Sequence, residues 1–86
     1  MDARQIRALV GQIVLAEWLD SSRSEGWTRE PPETADDLRC FSAGRLIAVA
    51  AGAVTIAGHW TDEAHPQRSG AMTIPNRALI SLRALQ

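Results

Sequence analysis

The stretch AGRLIAVAAGAVTIAGHW, residues 43–60, decides the fold, because it admits either one alanine-rich helix or two strands folded back on each other. As a helix it carries Gly44, Gly52 and Gly58, each costing on the order of 1 kcal/mol against alanine. It also carries five β-branched residues, Ile47, Val49, Val54, Thr55 and Ile56, whose stiff χ1 torsions crowd the preceding helical turn. As two strands, GRLIAV and AVTIAGHW flank AAGA, where Gly52 supplies the positive φ of a tight hairpin turn. Val54 and Ile56 then share one face while Thr55 and Ala57 share the other, the period of a half-buried strand. The hairpin is the better reading.

Downstream, TDEAHPQRSG reads as a loop punctuated by His65-Pro66 and Ser69-Gly70. Met72 to Ile74 form a short strand that stops at Pro75, which has no amide hydrogen for the ladder. PNR turns the chain, and Ile80, Leu82 and Ala84 alternate with Ser81 and Arg83 as a final half-buried strand. Upstream, SSRSEGW and REPPET are loops, and TADDLRC offers Thr34 as the cap of a short helix with acids in its first turn. At the N-terminus, Ile6, Leu9, Val10, Ile13 and Val14 are spaced for one amphipathic helix reaching Trp18. A second reading fits equally: Asp2 caps a short helix, Gly11 ends it, and QIVLAEWL begins a strand with Val14, Ala16 and Trp18 on one face. Periodicity leaves both open.

The chain of 86 residues is expected to form one domain, near the lower end of what a single core stabilises, which makes self-association a natural expectation. Its apolar runs are too short and too broken by glycine to span a bilayer, so no membrane association is expected. The opening MDARQIRALVGQIVLAEW lacks the basic, apolar, small-residue order of a signal peptide, and a cytoplasmic location is expected. Cys40 is the single cysteine and reads as an apolar filler. All nine cationic residues are arginine, balanced by ten acids to a net charge of −1, which predicts only weak binding of nucleic acid. Charge is unevenly placed. Residues 25–37, EGWTREPPETADD, hold five acids and one arginine, and Glu30, Glu33, Asp36 and Asp37 around the stiff PP pair form a candidate acidic docking patch for a basic partner.

The order VLAEWLDSSRSEGW, an acidic segment, CFSAGRLIAVAAGAVTIA, a polar loop and MTIPNRALISLRAL resembles small phage and prophage proteins over about residues 12–85. In these a strand ending in Trp-x-Asp is followed by Gly-Trp, a Cys-x-Ser-x-Gly strand and a closing strand introduced by Ile-Pro. The latter half also resembles Sm-like barrels, small bent five-stranded sheets often preceded by a helix. The resemblance implies a mainly β fold with an N-terminal helix at residues 1–11 and a small Sm-like or SH3-like five-stranded barrel at 12–86. It thereby resolves the N-terminal third as helix, Gly11, strand. It also implies rings or dimers made by pairing edge strands. Sm-like proteins bind RNA partly through an arginine-glycine turn before the last strand. Asn76-Arg77 matches that place here, but Ala78 follows where the glycine would be, and both residues are also ordinary turn formers.

His59, Asp62, Glu63 and His65 in HWTDEAH are metal-ligating and acid–base residue types, but their spacing lacks a fixed ligand geometry, and no metal or cofactor is expected. No nucleophile elbow, P-loop or dinucleotide fingerprint occurs, and no catalytic residue is assigned. Trp18, Trp27 and Trp60 outnumber the single phenylalanine. Trp27, among loop signals, and Trp60, at a strand end, are candidate partner or base-stacking contacts together with Asn76 and Arg77. The expected function is a non-enzymatic, self-associating interaction protein of phage or mobile-element type that binds a host protein and interferes with a host or defence function. The alternative is an RNA- or DNA-binding barrel in which Arg45, Arg77 and Arg83 gather on one face.

Overall fold

A computed structural model describes residues 2–20 and 38–85. Asp2 caps α1 (Ala3–Arg7) through a capping box: its carboxylate accepts from the Gln5 amide at 2.8 Å, and the Gln5 side chain accepts from the Asp2 amide at 3.2 Å. The chain then turns through residues 8–12 into β1 (Ile13–Asp20). The strand reading of the N-terminal third therefore holds, with the helix shorter than the expected 1–11. β2 (Leu38–Ala50) and β3 (Ala53–Trp60) are the two halves of the hairpin, and Gly52 sits in its turn at φ 85°. β4 (Arg68–Pro75) leads through a single 3-10 turn, Asn76–Ala78, into β5 (Leu79–Ala84).

These five antiparallel strands form one sheet in the order β4-β3-β2-β1-β5, and the sheet does not close. β2 is long because it serves two partners. Leu38–Arg45 pair with β1, Arg45–Ala50 pair with β3, and a register shift between Leu46 and Ala48 marks the change. At the bend lies Gly44, where a Cβ would meet the Ala57 carbonyl oxygen and the Ile56 Cγ2 at 2.5 Å each, so only glycine lets β2 lie so close to β3. The curl brings Met72 of β4 over Ser42 of β2, whose hydroxyl donates to the Met72 sulfur at 3.7 Å and accepts from the Trp18 indole at 3.0 Å.

Inside the curl, Val14, Ala16, Leu46, Val54, Ile56, Ile74 and Leu82 form the core, joined by Ile6 from α1. The α1–β1 turn is tied to β2 by two backbone bonds, Gly11 amide to Leu46 carbonyl at 2.8 Å and Leu46 amide to Gln12 carbonyl at 2.9 Å. Three sequence expectations need correction. Leu38–Cys40 of the expected TADDLRC helix are strand, because pairing with Leu19, Trp18 and Asp20 of β1 outweighs local capping signals. β4 begins at Arg68, so Arg68, Ser69 and Gly70 belong to a strand and not to the loop. Ile80 faces solvent, because a register shift between Glu17 and Trp18 turns Leu79 toward the core in its place.

Candidate functional site

The β3–β4 ladder ends with Trp60 opposite Arg68. Arg45, paired with Ala57 across the β2–β3 ladder, reaches back over the Trp60 ring with its guanidinium carbon 5.6 Å from the ring centroid. That distance is within the range of a cation–π contact. Together with the α1–β1 turn these residues bound an open cleft of about 390 Å³, lined by Val10, Arg45, Trp60, His65, Pro66 and Arg68 among others. A second hollow of about 420 Å³ shares Arg45, Trp60 and Gly11 with it and extends along Gln12 and Ile13.

Among the described residues, cationic side chains line this cleft and no carboxylate does. The one ion pair among the described residues, Arg39 Nε to Glu17 Oε1 at 3.0 Å, involves neither Arg45 nor Arg68. Trp60 keeps 38% of its surface exposed, and Val10 and Ile13 add exposed apolar rims at 46% and 43%. The cleft therefore offers a flat aromatic surface, two guanidinium groups and an apolar edge, the elements of a site for a planar anion.

The other sequence candidates do not converge on it. Asn76 and Arg77 lie in the 3-10 turn at the opposite end of the β3–β4 ladder, where the Asn76 amide donates to the Gly52 carbonyl at 2.8 Å. Arg45 and Arg83 share the outer face of the sheet, since Ile13 and Leu15, on one side of β1, are their respective partners. Arg77 lies in the 3-10 turn before β5 and not on the paired strands that carry Arg45 and Arg83. Trp27, Glu30, Glu33, Asp36 and Asp37 lie outside the described residues, as does Thr34. Glu63 accepts from the Thr61 hydroxyl at 2.9 Å, and Thr61 in turn bonds Gln67, closing the β3–β4 loop. Among the described residues no three of His59, Asp62, Glu63, His65 or any other metal-ligating side chains cluster. Cys40 is half-buried, its thiol donating to the Leu38 carbonyl at 3.6 Å.

Arg68 is the residue that sequence reasoning missed as a site member, and Arg45 is named there only with Arg77 and Arg83 as part of a basic face. The join of Arg45 and Arg68 to Trp60 is a matter of register, legible only by counting outward from the Gly52 turn and then from the β3–β4 turn. No helix among the described residues is long and apolar enough to cross a membrane. No protein-family model, curated protein or solved structure matches the chain.

Proposed function

We propose that this chain is an Sm-like interaction module that works by assembly: copies join edge to edge, and the assembly presents its outer face to a protein partner. The observation that carries the reading is the pair of open edges. Among the described residues β4 pairs only with β3 and β5 only with β1, which leaves a row of backbone donors and acceptors on the outer edge of each within that set. Each edge strand carries one charged residue, Arg68 or Arg83, so little opposes strand addition. The element order supports the Sm-like form of the reading: a short helix, four meandering strands, a 3-10 turn, and a fifth strand returning to the first.

A protein partner is supported by the outer face of β1 and β2. There Phe41, 61% exposed, stands opposite Glu17 with Leu15 and Leu19 as its diagonal neighbours, and Ile13 continues the apolar strip. The acidic stretch with Glu30, Glu33, Asp36 and Asp37 would steer a basic partner, host protein or otherwise, toward it. A phage or mobile-element role, with interference in a host or defence function, rests on the sequence resemblance alone. The reading of an RNA- or DNA-binding barrel has Trp60 and Arg45 in its favour. Against it stand the net charge of −1 and the separation of Trp60 from Asn76 and Arg77.

Amide hydrogen exchange followed as a function of protein concentration tests the assembly. The amides of β4 and β5 should gain protection as concentration rises while those of β2 stay constant. Edge amides whose protection is independent of concentration would count against it.

A further inference from the structure

We propose that the Trp60 cleft binds a nucleoside phosphate, with the base against the indole and the phosphate held between Arg45 and Arg68. Three features of the cleft converge on that chemistry. The first is shape: at about 390 Å³ the cleft is open and shallow-walled, and it falls in the range of small-molecule sites, roughly 300–1,000 Å³. An exposed indole is a stacking surface for any base, since every base has a π face.

The second is charge. Arg45 and Arg68 flank Trp60 from β2 and β4, and among the described residues no carboxylate lines the cleft and no ion pair claims either guanidinium. Arg45 lies over the Trp60 ring with its guanidinium carbon 5.6 Å from the centroid, and its several N–H donors exceed what one such contact uses, so donors remain for an anion. A guanidinium donates two parallel hydrogen bonds to a phosphate, which a lysine cannot.

The third is preorganisation. Arg45 sits at a β2 residue paired on both sides, with Ile13 and with Ala57, and Trp60 and Arg68 face each other across a ladder. The backbone beneath the three side chains is fixed, so little ordering cost remains on binding. A polymer is disfavoured as the preferred ligand, because ten acids outnumber nine arginines and the chain is net acidic. The inference does not depend on assembly, since each cleft is built from one chain.

The test is isothermal titration of the full chain with adenosine, guanosine, cytidine and uridine monophosphates, with inorganic phosphate, with the free nucleosides, and with an acidic peptide. At least one nucleoside monophosphate should bind one per chain with a Kd below about 1 mM, and phosphate alone and the matching nucleoside should each bind at least roughly tenfold more weakly. Arg45→Gln and Arg68→Gln should each weaken the nucleotide by roughly tenfold or more without a change in circular dichroism, and Trp60→Leu should remove the preference for nucleotide over phosphate. Trp60→Phe, which keeps a stacking ring, should retain that preference. No saturable binding of any of the four nucleotides overturns the proposal, as does equal affinity for phosphate alone or tighter binding of the acidic peptide. Tighter binding of a single-stranded oligonucleotide, growing with its length, assigns the cleft to a polymer and overturns it as well.

Discussion

Two residues carry more of this fold than their size suggests, and both act at the bend of β2. Gly44 is the point where the strand passes from one partner to the other, and a methyl group there would sit 2.5 Å from the Ala57 carbonyl oxygen. That oxygen belongs to backbone and cannot swing aside, so Gly44→Ala forces β2 and β3 apart. We expect a loss of about 1–3 kcal/mol in urea unfolding, the range for overpacking a tight site. An unchanged midpoint would mean that the bend does not require glycine. Leu46, two residues on, is fully buried at the centre of the core, and Leu46→Ala should cost about 2–5 kcal/mol by the same measurement. Ser42 has a different weight: its hydroxyl is the acceptor for the half-buried Trp18 indole, and the same atom reaches Met72. Its contribution is tertiary, joining three strands at one atom.

Among the elements, the β2–β3 hairpin was the most legible in the sequence, since Gly52 and the alternation of Val54 and Ile56 are local signals and local pairing satisfies them. Asp2 is legible as a cap, but local periodicity leaves the short helix open against one long helix, and only the family resemblance chooses between them. What local signals could not reveal was the length of β2. Leu38 to Cys40 become strand only because Asp20, Leu19 and Trp18 pair with them, a contact across a long sequence separation. Ile80 shows the opposite failure. Its alternation with Leu82 predicted burial, but the shift at Glu17 and Trp18 places Leu79 against the core and leaves Ile80 44% exposed. The candidate site was half legible. Trp60 stood out as a large ring at a strand end, whereas Arg45 and Arg68 acquire their meaning from register. The Glu17–Arg39 pair lies far along the β1–β2 ladder, with Arg39 at 64% exposure. Arg39→Ala should therefore change stability by less than about 0.5 kcal/mol in thermal unfolding, as exposed pairs do. A larger loss would show that this pair holds the outer end of β2 in place.

For the molecule as a whole, the consequence of a curled but open sheet is that, among the described residues, two strand edges remain without a partner. A small domain gains from covering them, because it buries a smaller share of its surface on folding than a larger domain does. Pairing β4 of one copy with β5 of the next would complete both ladders and continue the sheet from chain to chain. Ile80 projects to solvent from β5 and has no role in the core, so Ile80→Lys should leave the monomer folded while placing a charge beside the joining edge. The most direct test is multi-angle light scattering of the full chain across micromolar concentrations, beside the Ile80→Lys variant. Assembly through the edges predicts a mass that is a multiple of 9.4 kDa for the native chain and a shift toward 9.4 kDa for the variant. A native chain that stays at 9.4 kDa throughout the series would contradict it.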